Sequence, residues 1–230
     1  MISNNLFSLK GKTALVTGGS TGIGLMATVG LVSAGAKVFI VSRKLENCQS
    51  AAAELNNSGF EGEVIPFEGD LSSEAGINAI TGEIYSKNSE LHILINNAGR
   101  TWGADLGSFP YDAWAKVLNL NVSAIFDLTQ KLVPLLARSS KSDFPSRVVN
   151  IGSVMGEVPM GDGAYSYAAS KSAVHHITRI LAKELAERNI TVNALSPGPF
   201  QSNMTDFAIG DPKGTIRVSK RVPLKRIGQT

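Results

Sequence analysis

The chain has 230 residues, 43% of them hydrophobic and 18% charged, which suits one larger α/β domain. A chain of this size buries roughly 70% of the surface that its unfolded form exposes, so it needs no disulfide or metal to hold its core. Its one cysteine, Cys48, excludes an intrachain disulfide and cysteine-based metal cages, and fits a reducing compartment. Neither a signal peptide nor an apolar run of about 18 residues is visible, so we expect a cytoplasmic protein with no membrane partner.

The net charge is +3 with histidines neutral, but the basic excess is local. Segment 212–230 holds no acidic residue and six basic ones, which are Lys213, Arg217, Lys220, Arg221, Lys225 and Arg226. The rest of the chain has 16 basic against 19 acidic residues, which disfavours a uniformly basic nucleic-acid-binding protein. The segment also lacks the interleaved aromatic side chains typical of single-strand binding. We interpret it as a solvated face, with contact to an anionic ligand as the alternative.

Apolar strands alternate with helical segments along the chain. The predicted strands cover 13–18, 36–42, 63–67, 91–96, 147–152 and 190–195. The predicted helices cover 22–33, 48–55, 75–85, 111–138 and 164–187. Near-continuous apolar strands that alternate with helices indicate an α/β fold with a single Rossmann-like, doubly wound parallel sheet and helices on both faces. No repeat or low-complexity linker divides the chain, so we expect one domain over 1–230.

A glycine-rich loop joins the first predicted strand to the first predicted helix. It reads Thr17-Gly18-Gly19-Ser20-Thr21-Gly22-Ile23-Gly24. Glycine lacks a Cβ atom, so the backbone can turn tightly and a pyrophosphate can approach the helix N-terminus. Gly22, Gly24 and Ala27 also fit the looser dinucleotide fingerprint. The position between strand and helix favours a dinucleotide site, comprising Gly18, Ser20, Thr21, Gly22, Ile23 and Gly24, over a tight turn with no ligand.

The end of the second predicted strand selects between the two nicotinamide cofactors. An NAD site would place an acidic residue about 20 residues past the glycines, to hold the ribose 2′-hydroxyl. This chain has Ser42-Arg43-Lys44 there. A hydroxyl and two cations suit the 2′-phosphate of NADP(H), which an acidic residue would repel. The sequence therefore favours NADP(H), with a solvated strand end as the alternative.

Several further motifs follow the glycine loop in order along the chain. They are Asn96-Asn97-Ala98-Gly99, Asn121, Ser153, Tyr167-(x)3-Lys171 and Pro197-Gly198. Together with Thr17-Gly18-(x)3-Gly22-x-Gly24, they resemble the short-chain dehydrogenase/reductase family over nearly the whole chain. Within the family, the chain most resembles NADPH-dependent 3-oxoacyl (β-ketoacyl) reductases. Segments 7–9, 71–76, 101–104 and 151–154 especially resemble the rhamnolipid-linked type.

The resemblance implies hydride transfer between NADP(H) and a carbonyl or secondary alcohol, with a 3-oxoacyl thioester as the expected small-molecule substrate. It implies further cofactor contacts at Asp70, Leu71, Asn97, Ala98, Gly99, Pro197, Gly198, Phe200 and Ser202. The segment that begins at Pro197 is expected to be a mobile lid over the site. Trp102, Met155, Met160 and Phe207 are candidate walls of a substrate pocket, with a core position as the alternative for each.

Tyr167 is the candidate proton donor. Reduction of a ketone needs a hydride on carbon, which the cofactor supplies, and a proton on oxygen from a nearby acid. The ordinary tyrosine pKa of about 10 is too high for this, and an adjacent ammonium lowers it by stabilising the phenolate. Lys171 lies four residues on, so both side chains share one helix face. Tyr165 is an internal control, because Ala169 stands at the same spacing from it. Lys171 is also expected to bind the nicotinamide ribose.

Two further polar residues complete the predicted catalytic set. Ser153 follows a predicted strand, where its hydroxyl can hold the substrate carbonyl, and a turn or cap is the alternative. Asn121 interrupts the apolar stripe of helix 111–138, and the resemblance gives it the role of holding a water beside Lys171. Each residue alone is typical of ordinary structure, but the combination after a nucleotide loop favours catalysis. His175 and His176 are interpreted as packing or interface residues, since no third metal ligand stands nearby in the sequence.

The sequence departs from the family at two places. Many 3-oxoacyl reductases have arginine where Thr21 stands, so the 2′-phosphate would depend more on Arg43 and Lys44. The family's C-terminal helix and last strand are missing, and we expect a shortened sequence, because losing an edge strand would expose core. The resemblance also predicts a homo-oligomer, either a dimer or a tetramer. Apolar residues on the outer faces of the two longest helices agree with this, among them Val133, Ile177 and Ile180.

Three alternatives stay open. The first is an NADP(H)-dependent reductase of another ketone, such as a sugar, a steroid or an aromatic ketone. The second is a non-catalytic NADP-binding module, against which the intact set of Ser153, Tyr167 and Lys171 argues. The third is nucleic-acid binding by the basic segment 212–230, which its lack of aromatic residues disfavours.

Overall fold

The structure is a computed structural model that describes residues 6–160, 163–202 and 204–229. Six strands form one sheet in the order β3-β2-β1-β4-β5-β6, and every neighbouring pair is parallel. The strands are β1 (Thr13–Thr17), β2 (Lys37–Ser42), β3 (Glu63–Glu68), β4 (Ile93–Asn96), β5 (Ser146–Ile151) and β6 (Ile190–Leu195). The predicted fold class, a single doubly wound parallel sheet, is confirmed.

Eight α-helices lie within the described ranges. They are α1 (Gly22–Ser33), α2 (Leu45–Asn56), α3 (Glu74–Lys87), α4 (Asp112–Leu118), α5 (Ala124–Ser139), α6 (Tyr165–Leu185), α7 (Asp206–Ile209) and α8 (Pro212–Arg221). Side chains cap two of them, because Ser73 accepts a hydrogen bond from the backbone N–H of Gly76 and Asp211 accepts one from that of Gly214. None of the described helices is long and apolar enough to cross a lipid bilayer.

The sheet has a packed core on each face, and this explains why its strands are apolar along their whole length. Leu15 and Leu94 point to one face, where they pack among apolar residues of α3, α5 and α6. Ala14 and Val16 point to the other face, together with apolar residues of α1 and α2. Successive strand residues therefore enter different cores, as the two-residue period of a strand requires.

The order in which strands are added to the sheet reverses at β1. This strand lies between β2 and β4, so one half of the sheet is built outward from β1 in one direction and the other half in the opposite direction. In open parallel sheets, ligands bind outside the carboxyl ends of the strands at this switch point. The ends of β1, β2, β4 and β5 thus define where a site is expected.

The predicted helix 111–138 is interrupted. A π-helical turn over Asn119–Ser123 separates α4 from α5, with the N–H of Ala124 bonded to the carbonyl of Asn119. The turn inserts one extra residue and so shifts the phase of later residues by about 100°. Val133, expected on the outer face, is buried with 8% of its surface exposed, because it lies in the apolar stripe of α5 together with Leu132 and Leu136. Ile177 is partly buried against the core, and Ile180 is 48% exposed as expected.

Candidate active site

A cleft of about 330 Å³ opens at the carboxyl ends of the central strands. Most of the residues predicted to contact the cofactor line it. These are Gly18, Thr21, Gly22, Ile23, Ser42, Arg43, Asp70, Leu71, Asn97, Ala98, Gly99, Tyr167, Lys171, Pro197, Gly198, Phe200 and Ser202. Ser20, Gly24 and Lys44 lie outside this lining.

The glycine loop forms a cradle that side chains would fill. Gly18 and Gly22 have φ angles of +65° and +53°, in the left-handed region that favours glycine. A Cβ atom on Gly24 would lie 2.1 Å from the carbonyl oxygen of Gly18, so this position serves close packing beneath the loop. Ser20 is buried in the same loop. The loop leads into the N-terminus of α1, where a pyrophosphate binds favourably.

Hydrogen bonds fasten the glycine loop to the end of β4. The side-chain nitrogen of Asn97 donates to the carbonyls of Thr17, at 2.9 Å, and Gly18, at 3.2 Å. The hydroxyl oxygen of Thr17 accepts in return from the backbone N–H groups of Asn97 and Ala98. The first motif and the Asn97-Ala98-Gly99 motif are therefore one rigid wall of the cleft.

The far end of the cleft carries exposed charges. Arg43 lines the cleft, whereas Lys44 is the N-cap residue of α2 and lies outside the lining. The Ser42 hydroxyl donates to the carbonyl of Lys44 at 3.0 Å, which fixes the turn between β2 and α2. The backbone N–H of Ser72 beside Asp70 holds the pKa of that carboxyl below its usual range, and Arg43 adds to the effect.

Ser153, Tyr167 and Lys171 come together at the other end of the cleft. Ser153 and Tyr167 both line the cleft, and the Ser153 oxygen accepts a hydrogen bond from the N–H of Met155 at 3.2 Å. Lys171 Nζ donates to the carbonyl of Ile151 at 2.6 Å and lies 5.6 Å from the centre of the Tyr167 ring. Ser153 and Lys171 are 7% and 4% exposed. The turn after β5 and helix α6 thus contribute a hydroxyl, a phenol and an amine to the wall of one cleft.

The expected lowering of the Tyr167 pKa by Lys171 stays a prediction, and burial opposes it. Burial raises the pKa of Tyr167, and the nearby Ser153 side chain offsets only part of that rise. Burial likewise lowers the pKa of Lys171 to about 8. The i, i+4 spacing places both residues on one helix face, but Lys171 turns its Nζ to the carbonyl of Ile151. Spacing alone could not reveal that competing partner.

Asn121 lies inside the π-helical turn and is fully buried. Its side-chain oxygen accepts from the N–H of Arg100, and its nitrogen donates to the carbonyl of Arg100 and to the Ser170 hydroxyl, all at 2.9 Å. Both amide hydrogens are therefore occupied by protein partners. These contacts join the loop after β4 to α6 one residue before Lys171. A water beside Lys171 stays a prediction.

A second cavity, of about 660 Å³, is lined by residues of α4, of α6 and of the loops that precede these two helices. Its lining is mainly apolar and comprises Leu106, Phe109, Tyr111, Trp114, Met155, Pro159, Met160, Gly163, Ala164, Tyr165 and Ala168. The predicted wall residues Met155 and Met160 are among these, while Trp102 is exposed with the Lys116 ammonium 5.3 Å from its ring centre. The side chain of Phe207 lies outside the part of the chain that the structure describes.

Several lining residues of the cleft were missed by the sequence interpretation. They are Val41, Gly69, Ser72, Arg100, Leu120, Ile151, Gly152, Met204 and Thr205. Arg100 is the informative one, because it adds a second cation whose charge lowers the pKa of Asp70. A cation directly after the Asn97-Ala98-Gly99 motif was the available signal. The others are apolar, small or neutral neighbours whose positions depend on the fold.

A family model described as short chain dehydrogenase matches residues 12–211. The chain belongs to the short-chain dehydrogenase family. This membership confirms the predicted family and the oxidoreductase class. It agrees with the geometry, in which the glycine loop and the Tyr167–Lys171 pair face one cleft.

Relatives and solved structures cover most of the chain. It is 47% identical over 223 residues to the rhamnolipids biosynthesis 3-oxoacyl-(acyl-carrier-protein) reductase of Pseudomonas aeruginosa, covering 97% of this chain and 86% of that protein. It is 33% identical over 225 residues to the 5-keto-D-gluconate 5-reductase of Escherichia coli, covering 98% and 86%. The Pseudomonas aeruginosa RhlG/NADP active-site complex matches with a TM-score of 0.91 at 46% identity, covering 96% of this chain and 86% of that one.

Proposed function

We propose that this short-chain dehydrogenase is an NADP(H)-dependent reductase that converts 3-oxoacyl thioesters to 3-hydroxyacyl thioesters. The observation that carries the proposal is that Ser153, Tyr167 and buried Lys171 line one cleft, whose far end presents Arg43. A pure nucleotide-binding module has no need of a serine hydroxyl, a phenol and an amine gathered at one point.

The residues of the cleft fit a dinucleotide. The cradle of Gly18 and Gly22 leaves room for a pyrophosphate at the N-terminus of α1. Arg43 and Lys44 would hold the 2′-phosphate, and Arg100 adds positive charge nearby. When bound, the nicotinamide supplies the hydride. The NADP in the solved Pseudomonas complex supports the choice of NADP(H) over NAD(H) for this chain.

The chain's own residues handle the substrate oxygen. The Ser153 hydroxyl donates a hydrogen bond to the carbonyl oxygen and so fixes its direction. The Tyr167 hydroxyl gives that oxygen a proton as it becomes an alkoxide, which leaves a phenolate on the ring. The Lys171 ammonium stabilises this phenolate by its positive charge and binds ribose hydroxyls of the cofactor. Asn121 keeps the loop after β4 and helix α6 at a fixed distance.

The apolar cavity favours an acyl substrate. Met155, whose N–H bonds to the Ser153 oxygen, also lines the cavity, so the turn at 153–156, which we call the catalytic turn, forms part of its wall. Tyr165 and Ala168, on either side of Tyr167, line it as well. Side chains of this kind suit a hydrocarbon chain, since they offer few partners for the hydroxyl groups of a sugar. The Pseudomonas relative is named for 3-oxoacyl reduction, which supports the same substrate class.

Reduction of a keto sugar acid is the second candidate. The 33% identity to a 5-keto-D-gluconate 5-reductase is the observation that favours it. The test compares NADPH oxidation by the purified protein with 3-oxoacyl thioesters of several chain lengths and with 5-keto-D-gluconate. We expect turnover of the thioesters, with kcat/KM rising with chain length. Turnover of the sugar acid alone would replace the proposal.

We further propose that the chain is a cytoplasmic homo-oligomer. Phe126 on α5 and Ile180 on α6 are large apolar side chains that are 41% and 48% exposed. Exposed apolar residues on neighbouring long helices suit a symmetric interface. The free cysteine, Cys48, fits a reducing compartment. Light scattering at micromolar concentration is expected to give a dimer or tetramer mass, and a monomer would contradict this.

A further inference from the structure

His175 lies one helical turn after Lys171 on α6 and points toward the catalytic turn. Only 6% of its surface is exposed. The backbone N–H of Ser153 donates to its Nε2 atom at 3.4 Å, and the Ser196 hydroxyl lies 3.2 Å from the same atom. The imidazole therefore contacts the backbone that carries the catalytic serine and the loop that follows β6.

Two glycines make room for this ring. A Cβ atom on Gly152 would lie 2.1 Å from Nε2 of His175, and one on Gly156 would lie 2.8 Å from its Cε1. Both distances are shorter than atoms at those positions tolerate, so the ring fits only because each residue lacks a side chain. Gly152 and Gly156 flank Ser153 on the two sides of the catalytic turn. The imidazole thus fixes the path of the backbone from 152 to 156.

The partners of His175 define its tautomer. A backbone N–H can only donate, so Nε2 must accept, and the ring proton of the neutral imidazole resides on Nδ1. Nδ1 is buried, makes no hydrogen bond to the described residues, and lies 3.4 Å from the carboxylate of Glu157. The negative charge of Glu157 favours a proton at Nδ1, which leaves the Nε2 lone pair for Ser153.

We propose that His175 is a positioning residue for the reduction. Its Nε2 holds the Ser153 backbone, and through it directs the Ser153 hydroxyl to Tyr167 and to the substrate oxygen. The inference rests on the proposed function, since it acts through Ser153 and Tyr167. Displacing a reacting group by about 1 Å can cost about a hundredfold in rate, so a loosened turn lowers kcat. The cofactor cradle at Gly18 and Gly22 lies on other elements and should keep its affinity.

Two substitutions separate hydrogen bonding from packing. His175→Gln places an oxygen acceptor near the position of Nε2, whereas His175→Leu fills much of the volume without any acceptor. His176→Gln and His176→Leu at the exposed neighbouring position are the matched controls. For each variant we would measure kcat and KM with a 3-oxoacyl thioester, the Kd of NADPH, and hydrogen exchange of the Ser153 amide in the free protein.

We expect His175→Leu to lower kcat about tenfold or more, with the NADPH Kd within about twofold of the original, and to speed exchange of the Ser153 amide by a similar factor. His175→Gln should restore most of both, and the His176 variants should match the original protein. Either an unchanged kcat or an unchanged exchange rate in His175→Leu would overturn the proposal. If His175→Leu does not fold, a tenfold loss of kcat in folded, NADPH-binding His175→Gln would overturn it instead.

The readouts keep the two proposals apart. An original protein that reduces no 3-oxoacyl thioester would remove the proposed function. The exchange rate of the Ser153 amide would still decide whether His175 holds the Ser153 backbone, because that measurement needs no turnover. Equal exchange rates in the original protein and in His175→Leu would overturn the inference even if the thioester is reduced.

Discussion

The two ends of the cleft are built from opposite kinds of structure. At the catalytic end, Ser153 and Lys171 are buried, and their side chains bond to the backbone of Met155 and of Ile151. At the far end, Arg43 and Lys44 are exposed charges on the turn after β2. Buried groups act at short range and depend on exact position, whereas exposed charges are screened by solvent and salt. The reaction should therefore be sensitive to single atoms, and the choice of cofactor to net charge.

Removal of one oxygen at the catalytic end should have the largest effect. Tyr167→Phe keeps the volume of the ring, so the fold and NADPH affinity should be unchanged. General acids typically contribute about 10²–10⁴-fold to rate, and kcat should fall by at least that range. Steady-state turnover with NADPH and a 3-oxoacyl thioester measures this.

Tyr165→Phe is the matched control, since Tyr165 lies two residues earlier on the same helix and lines the apolar cavity. Its hydroxyl has no lysine one turn beyond it, so kcat should stay near normal. Normal turnover by Tyr167→Phe together with an inactive Tyr165→Phe would show that Tyr165, and not Tyr167, is the proton donor.

Charge reversal at the far end should change the cofactor and not the chemistry. Arg43→Asp removes a charge-assisted contact to the 2′-phosphate, of about 1.5–3 kcal/mol, and adds repulsion. The Kd of NADPH should rise by about tenfold to a hundredfold while the Kd of NADH changes little. Fluorescence titration with both cofactors checks this. Equal use of both cofactors by the original protein, or an unchanged preference in the variant, would refute the assignment.

Alkaline pH should weaken cofactor binding through the catalytic end. Lys171, with its pKa lowered to about 8 by burial, loses its positive charge as pH rises through that value. NADPH affinity should therefore fall between pH 7 and 9.5, because the neutral amine holds ribose hydroxyls and phenolate less strongly. In Lys171→Met the affinity should be lower and nearly independent of pH over this range. A pH-dependent loss of equal size in that variant would assign the effect to another group.

The lowered pKa of Lys171 predicts that rising pH, which weakens cofactor binding, increases the stability of the fold. Between about pH 8 and the ordinary lysine value of 10.5, the unfolded chain binds more protons at this position than the folded chain does. The contribution of Lys171 to the free energy of unfolding therefore increases with pH over that window. Denaturant titrations at both pH values, compared with Lys171→Met, should show this difference.

Salt should have the smallest effect, and it should act on cofactor preference at the far end of the cleft without changing kcat at the catalytic end. Raising ionic strength from 0.05 to about 0.5 M shortens the Debye length and screens the exposed cations near the 2′-phosphate. The preference for NADPH over NADH should fall by a few fold, while kcat at saturating NADPH stays constant. An equal drop in kcat would mean that the catalytic end is less shielded than its burial indicates.

The sequence predicted most of what depends on local pattern. Alternating apolar strands and helices were enough for the parallel sheet, and the Tyr167 and Lys171 spacing was enough to place both on one helix face. The π-helical turn at Asn119–Ser123 was beyond reach, because one inserted residue leaves the apolar pattern of α4 and α5 intact on each side. The prediction that Val133 lies on an outer face was wrong because Val133 belongs to the apolar stripe of α5 that packs into the core.

Contacts between distant residues were the other part that could not be predicted. The carbonyl of Ile151 as partner of Lys171, and the backbone of Arg100 as partner of Asn121, connect segments that only the folded sheet brings together. The packing of His175 between Gly152 and Gly156 is of the same kind. Exposed charges such as Arg43 need no such contact, and their expected role was predicted from charge and position alone.

The central claim is hydride transfer to a 3-oxoacyl thioester with proton donation by Tyr167. The most direct measurement supplies NADPH deuterated at the transferable position of its nicotinamide and analyses the product by mass spectrometry. We expect a 3-hydroxyacyl thioester with one deuterium on the carbon that carried the oxo group. Tyr167→Phe should form this product at least about a hundredfold more slowly. Absence of that product with the original protein, or equal rates for the two proteins, would contradict it.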